Sequence, residues 1–165
     1  MAIGWPFVGD LNNYENREAI NGKLKLETNT EGSGKSSSLM IWQFYKEMAV
    51  GDVVYAKKGK NRIIGRGVVI SDYYYFPEAE RFAHLRKIDW RRTKEYEMTT
   101  SYVKTLTNIT EKRELIKEIE NGVKVVKSES KNFWWLIAKP SIWSFAELKN
   151  DEMIEYSLYT EKGNM

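Results

Sequence analysis

A phosphate-binding loop is the first chemistry that the sequence suggests, at residues 31–38, which read EGSGKSSS. A Walker-type loop has the pattern Gly-x-x-x-x-Gly-Lys-Ser/Thr, and its first glycine begins the turn that surrounds the phosphates with backbone N–H groups. Gly34, Lys35 and Ser36 fit the end of this pattern, but Asn29 stands where the first glycine is required. The preceding residues are also too polar for a buried parallel strand. We therefore predict a polar connector whose serines begin the next helix, and not a nucleotide site.

Residue types suited to catalysis or metal binding are few. The chain has one histidine, His84, and no cysteine, which excludes disulfides, thiolate metal sites and paired-histidine sites. No nucleophile motif surrounds His84, so we expect it to be structural. Glu147 and Lys149 form a Glu-x-Lys triplet of the kind found in metal nucleases, but the nearest earlier aspartate, Asp89, lies too far back for one hairpin. We predict no enzyme activity, no metal and no cofactor.

Aromatic side chains interleaved with cations give the positive signal. Phe, Trp and Tyr make up 13% of the chain, and the run YYYF at 73–76 lies between two basic segments. Residues 53–71 carry five cations and no acid, and residues 81–94 carry six cations against one acid. Rings stack on nucleobases while Lys and Arg contact phosphates, so the pattern predicts a nucleic-acid surface. An ordinary solvated face is the alternative explanation of the charge.

The elements that must position these residues follow from the apolar pattern. A period near 3.6 residues favours helices, and alternating or continuous apolar runs favour strands. Glycines at 65 and 67 inside a strand indicate a bend or a close approach of another group. We predict an α+β fold, a small twisted β-barrel or sheet of about six strands flanked by helices. The expected helices are 13–20, 38–50 and 110–120, and the expected strands are 53–56, 62–70, 73–76, 85–90, 133–138 and 153–159, with a possible hairpin arm at 122–131.

The bulk properties bound the remaining possibilities. A chain of 165 residues forms one domain, which we divide into a core, 1–127, and a C-terminal extension, 128–165. That extension either completes the barrel or begins a second domain. No apolar run approaches eighteen residues and no secretion leader is visible, so we expect no membrane association and a cytoplasmic location.

The order of several short motifs resembles the N-terminal DNA-recognition domains of McrB-type modification-dependent restriction proteins. These motifs are AIGWPFVGDLNNY near the start, GDVVYAKKGKNRIIGRGVVISDYYY in the middle, and HLRKIDW at 84–90. Such domains are EVE/YTH-like members of the PUA-like superfamily. The resemblance covers roughly residues 3–92. It implies a non-catalytic reader of methylated double-stranded DNA, which in the parent protein works with a GTPase motor domain and an McrC-type nuclease.

The resemblance also implies a site. Trp5 takes the place of the first wall of an aromatic cage that holds a flipped-out methylated base, and the loop 73–82 is expected to supply a second wall. Lys87-Ile88-Asp89-Trp90 is similar to the YTH strand, which favours N6-methyladenine over 5-methylcytosine as the base. The predicted base-binding residues are Trp5, Asp10, Tyr73, Tyr75 and Phe76; the predicted nucleic-acid backbone contacts are Lys57, Lys58, Lys60, Arg62, Arg66, Arg86, Arg91 and Arg92.

Several alternatives stay open at this point. Asp10 lies beside a turn glycine, where an aspartate is as often a helix cap as a base contact. Tyr74, Trp42, Phe44, Trp134 and Trp135 are expected to be core residues, as is Trp90. The whole domain is alternatively an RNA-binding YTH-like reader, or a protein-interaction module with no nucleic-acid role.

Overall fold

The computed structural model describes residues 1–28, 34–99, 104–123 and 132–138. It confirms the α+β class. The chain order is β1 (Ala2–Ile3), two 3-10 turns (Pro6–Val8 and Leu11–Asn13), α1 (Arg17–Thr28), α2 (Lys35–Trp42) running into a π-helical turn (Gln43–Glu47), β2 (Val53–Lys58), β3 (Arg62–Val69), β4 (Tyr74–Tyr75), β5 (His84–Leu85), β6 (Ile88–Glu97), β7 (Leu106–Asn108), α3 (Arg113–Val123) and β8 (Phe133–Ala138).

The strands form two sheets. The larger sheet has five strands in the order β6-β3-β2-β8-β7, and the smaller has three in the order β1-β5-β4. Every neighbouring pair is antiparallel except β2 and β8, which are parallel. Within the described ranges the larger sheet is open, with β6 and β7 at its edges, so these strands do not close the barrel that was one of the two predicted forms.

Both faces of the larger sheet are covered, which explains its apolar strands. Val54, Ala56 and Trp134 face one core, which α1 and α2 complete, whereas Val53, Tyr55 and Trp135 face a second core under α3. Trp134 and Trp135 have no exposed surface. The prediction that they belong to the core is confirmed, and the same holds for Phe44 and Trp90.

A buried carboxylate joins the parallel strands at their start. Asp52, only 1% exposed, accepts hydrogen bonds from the Trp134 indole (2.8 Å), the Asn132 amide (3.1 Å) and the Ala49 backbone N–H (3.0 Å). A buried charge is tolerated when such donors surround it. This cluster fixes the register in which β8 enters between β2 and β7.

Several predicted boundaries were wrong. The first helix begins at Arg17, after Asn16 caps the Ala19 N–H (2.9 Å), and it continues through Gly22 to Thr28. Helix α2 begins at Lys35, with Gly34 before it in a left-handed conformation at φ 55°. The single strand predicted at 85–90 is two strands, because the chain passes at Arg86 and Lys87 from the smaller sheet, where β5 pairs with β1 and β4, to the larger sheet, where β6 pairs with β3. The predicted hairpin arm at 122–131 falls largely outside the described residues, and the strand predicted at 153–159 lies wholly outside them.

Candidate functional site

Trp5 has an unusual backbone. Its φ of 65° and ψ of 48° lie in the left-handed region, and it is the one non-glycine residue with positive φ in the described ranges. For a bulky residue this conformation costs on the order of 1–3 kcal/mol, and such strain concentrates at functional sites. Trp5 precedes the first 3-10 turn, and its carbonyl accepts the Val8 N–H at 3.0 Å. The side chain is half-buried against the first core.

The smaller sheet brings Trp5 beside the predicted second wall. Ile3, His84 and Tyr75 lie side by side on its three strands, so the chain that leaves β1 at Gly4 runs along the loop 76–83. The approach is close, since a Cβ built on Gly4 would lie 3.8 Å from the Arg81 carbonyl oxygen. Trp5, Tyr75 and the loop 76–83 therefore occupy one end of the smaller sheet, which we call the aromatic end.

His84 connects the parts of the aromatic end. It is fully buried, its Nε2 lies 3.1 Å from the Trp5 carbonyl oxygen, and its Nδ1 lies 3.0 Å from the Tyr73 hydroxyl. The Trp5 carbonyl only accepts, so Nε2 carries a proton. Burial lowers the His84 pKa and favours the neutral ring. Nδ1 is therefore an acceptor, and the Tyr73 hydroxyl donates to it.

The two tyrosines lie on the same side, as their spacing predicts. The Tyr75 ring centre lies 5.6 Å from that of His84, and the Tyr73 ring centre lies 6.0 Å from it. Tyr73 also packs edge-on against Tyr45 at 5.1 Å, and its hydroxyl accepts the Leu11 N–H at 3.2 Å. Burial raises the Tyr73 pKa, so the hydroxyl stays protonated. Tyr73 is thus held in place by His84, Tyr45 and Leu11, and both tyrosines are partly buried.

Asp10 is a helix cap. Its carboxylate accepts the Asn12 backbone N–H and the Asn12 side-chain amide, each at 3.0 Å, at the start of the second 3-10 turn. The Tyr73 hydroxyl lies 3.4 Å from the same oxygen. The capping interpretation is confirmed, and a contact to a base edge would have to use the second carboxylate oxygen.

Three aromatic residues close in the chain to Trp5 and Tyr75 are exposed. Phe7 is 41% exposed, Tyr74 39% and Phe76 38%. The prediction that Tyr74 is a core residue was wrong, because a two-residue edge strand turns alternate side chains outward. The loop also carries charges of both signs, with Glu78 and Glu80 against Arg81, all exposed. The immediate surroundings of Trp5 are therefore not strongly cationic.

Two of the predicted backbone contacts were wrong. Arg86 is 3% exposed, and its guanidinium donates to the carbonyls of Phe44 (2.8 Å), Tyr45 (2.8 Å) and Ser71 (3.1 Å), which fastens the π-helical turn to the smaller sheet. Lys57 is buried; its ammonium lies 4.7 Å from the centre of the Trp135 ring and donates to the Lys60 carbonyl. Burial lowers the Lys57 pKa. Neither cation reaches a surface where a phosphate would bind.

The remaining predicted cations lie in two places. Lys58, Lys60 and Arg62 are exposed around the β2–β3 turn, which we call the hairpin tip. Arg66 and Arg91 are directly opposite each other on β3 and β6; Arg66 is half-buried and Arg91 exposed. Arg92 lies opposite Gly65 on the same strands, and its side chain is outside the described set.

The hairpin tip and the aromatic end belong to different sheets. The tip lies at the start of β3, whereas the aromatic end is formed by the smaller sheet, whose strand β4 follows β3 in the chain. Acids on β6 also compensate the tip, since Arg62 pairs with Glu95 at 3.4 Å and Asn61 binds Glu97 at 3.1 Å. The structure thus links Tyr73 to Asp10 through its hydroxyl and to the Trp5 backbone through His84, with Tyr75 and Phe76 on and beside β4 of the same sheet, whereas the tip cations lie on the larger sheet.

The parts of the chain that the structure describes contain no group of three or more His, Asp or Glu side chains arranged to hold a metal ion. None of the helices in those parts is long and apolar enough to cross a membrane. In the former phosphate-loop candidate, Lys35 and Ser36 form the first turn of α2 after Gly34, while residues 29–33 lie outside the described ranges.

A family model described as a domain of unknown function (DUF8426) matches residues 1–130. The chain belongs to this family. It matches no curated protein and no solved structure. The family segment includes every predicted site residue and all described elements except β8. The likeness to McrB-type recognition domains remains a prediction from the sequence.

Proposed function

We propose that this DUF8426 domain is a non-catalytic DNA-binding module that reads a methylated base flipped out of the duplex. N6-methyladenine is the first candidate and 5-methylcytosine the second. The parent system would be of the McrBC type, in which a GTPase motor domain drives the complex and an McrC-type nuclease cleaves the DNA. The observation that carries the proposal is the left-handed, half-buried Trp5, whose backbone is hydrogen-bonded to His84 beside Tyr73 and Tyr75.

The energetics set the expected size of the effect. Extruding a base costs a few kcal/mol, and stacking it on a ring returns about 1–3 kcal/mol. A methyl group in an apolar pocket contributes about 1–3 kcal/mol of discrimination. We therefore expect roughly ten- to hundredfold preference for the methylated duplex. Cations such as Lys58 and Lys60 strengthen binding to any DNA and make it salt-dependent.

Fluorescence anisotropy with matched duplexes tests this proposal. The duplexes carry N6-methyladenine, 5-methylcytosine or no modification, and RNA of the same sequence tests the YTH-like alternative. Trp5→Ala should remove the methyl preference, because it removes the stacking wall. Leu26→Ala is the matched surface control, since Leu26 is 81% exposed on α1. Equal affinity of the wild-type domain for methylated and unmodified DNA and RNA would refute base reading.

The second candidate is a protein-interaction module. The exposed rings of Phe7, Tyr74 and Phe76 favour it, because large apolar side chains on a surface are typical of interfaces. The nearby loop also carries the exposed acids Glu78 and Glu80. Aromatic residues of this kind anchor protein interfaces. Salt distinguishes the two candidates. DNA binding must weaken steeply as salt rises, whereas docking through these rings should change little.

A further inference from the structure

His84, the one histidine of the chain, makes more specific contacts than filling the core would require. His84 has no exposed surface, lies on the middle strand of the smaller sheet, and uses both ring nitrogens. One nitrogen meets the backbone of Trp5 and the other meets the side chain of Tyr73. Its ring also packs against that of Tyr75. One side chain therefore contacts three of the five residues predicted to hold the base.

His84 forms its hydrogen bond with the backbone of Trp5, the residue in the strained left-handed conformation. The Trp5 carbonyl receives the Val8 N–H at 3.0 Å and the His84 Nε2–H at 3.1 Å. These two donors fix the peptide plane that follows Trp5, and hence the direction in which the chain enters the 3-10 turn. Without the imidazole donor, a lone pair of the partly buried Trp5 carbonyl loses its partner. The left-handed conformation would then lose one of the contacts that over-determine it.

The other ring nitrogen of His84, Nδ1, is held by Tyr73. The Tyr73 hydroxyl donates to Nδ1 and accepts the Leu11 N–H at 3.2 Å, which ties it to the turn that Asp10 caps. A hydrogen bond at one ring nitrogen of a histidine fixes the orientation of the ring and decides whether the other nitrogen carries the proton. The ring is thus pre-oriented, with a proton on Nε2 directed at the Trp5 carbonyl.

We propose that His84 is the positioning residue of the site: it holds the Trp5 backbone in the left-handed conformation that presents the indole ring to a base. The inference deepens the proposed function and, where it concerns base preference, rests on it. The statement about the Trp5 backbone does not depend on DNA binding and can be tested on the free protein. His84 touches no base and is not a catalytic residue.

Two amide variants separate the roles of the two ring nitrogens. In His84→Asn the side-chain oxygen takes the place of Nδ1 and keeps the Tyr73 hydroxyl bond, but the side chain is too short to reach the Trp5 carbonyl. In His84→Gln the longer side chain places an amide N–H near the position of Nε2. Both variants are neutral and polar, but His84→Asn keeps the Tyr73 contact and loses the Trp5 contact, whereas His84→Gln keeps the Trp5 contact and loses the acceptor that faces Tyr73.

The first measurement uses NMR on the free 165-residue chain. The Trp5 Cα and Cβ shifts and its HN–Hα coupling report the sign of φ without any ligand. We expect left-handed values in the wild type and in His84→Gln, and a move toward negative φ in His84→Asn. A left-handed Trp5 in His84→Asn would overturn the inference. If His84→Asn does not fold, His84→Gln alone tests the inference. Wild-type Trp5 shifts in His84→Gln would support it, and shifts typical of negative φ would overturn it.

The second measurement is the methyl preference in the duplex assay. Loss of one hydrogen bond predicts a roughly tenfold smaller preference for His84→Asn, with at least partial recovery in His84→Gln. A full preference in His84→Asn would contradict the link to recognition. If the wild type itself shows no methyl preference, the proposed function fails, and the NMR result still decides whether His84 positions Trp5.

Discussion

Gly67 is the residue at which a single added methyl group should most clearly disturb the core. It lies in β3 opposite Trp90 of β6, and a Cβ built there would lie 2.4 Å from Cγ2 of Ile88 and 2.6 Å from Cε3 of Trp90. Ordinary carbon contacts are about 3.5–4.0 Å, so these side chains must retreat by about 1 Å. Trp90 is 3% exposed and Ile88 2%, which leaves little room for that movement.

The magnitude follows from two opposing terms. Overpacking of a core costs about 1–3 kcal/mol, and the closeness of these contacts favours the upper end. Replacing glycine by alanine also restricts the unfolded chain, which returns about 0.4–1 kcal/mol. We therefore expect Gly67→Ala to lower the free energy of unfolding by about 2 kcal/mol. For a chain of this size the melting temperature should fall by roughly 4–8 °C.

Urea and thermal unfolding, followed by tryptophan fluorescence, measure this effect. Gly22→Ala is the matched control because Gly22 lies inside α1 with nothing within 4 Å of an added Cβ. There the same substitution should stabilise the protein, by up to about 1 kcal/mol, through helix propensity. A Gly67→Ala protein as stable as the wild type would refute the account of why β3 contains glycine.

Three further predictions concern buried polar groups. Arg86→Met should lower the unfolding free energy by about 3–5 kcal/mol in urea titrations, because three carbonyls lose their donor; a loss below about 1 kcal/mol would contradict it. Asp52→Asn should cost about 1–3 kcal/mol in the same assay, since an amide N–H would replace an acceptor facing its donors, including the Trp134 indole; unchanged stability would count against this. Burial lowers the His84 pKa below its ordinary 6.5, so the contribution of His84 to the unfolding free energy is full above about pH 6.5 and falls as the pH drops below it. The Met1 amine, whose pKa burial lowers to about 5, titrates in the wild type and in His84→Asn alike, so the difference between their pH profiles isolates the His84 effect. Parallel profiles would exclude this effect.

The strands of the larger sheet were predictable because their apolar runs are continuous. The predicted strands at 53–56, 62–70 and 133–138 correspond to β2, β3 and β8, and both tryptophans of β8 lie in the core as expected. The start and end of α1 were not predictable from propensity alone. Gly22 reads as a stop signal, but tertiary packing of Ile20 and Leu24 in the first core outweighs its cost of about 1 kcal/mol.

The candidate site was predictable in its ring-bearing residues but not in its organisation. Trp5 and the tyrosine run stand out by composition, and the smaller sheet brings them together. His84 gave no functional signal, because no nucleophile motif surrounds it and a lone histidine is usually structural. Its role depends on the pairing of β5 with β1 and β4, which joins residues about eighty positions apart, as in the contact between His84 and Trp5. No local pattern records such a pairing.

Charge counted along the chain is a poor guide to charge in space here. The basic segment at 53–71 contains no acid, yet β6 places Glu95 and Glu97 against its tip, and Lys57 is buried. The exposed cations that remain, at the hairpin tip and at Arg91, lie on the larger sheet, whereas Trp5 follows β1 of the smaller sheet. Under the proposed function, affinity and methyl preference should therefore be separable: Lys58→Ala should weaken binding to every duplex alike and reduce its salt dependence, while Trp5→Ala should abolish the preference and leave the salt dependence intact. A Lys58→Ala protein with altered methyl preference would show that the two regions act as one site, contrary to their separation in the fold.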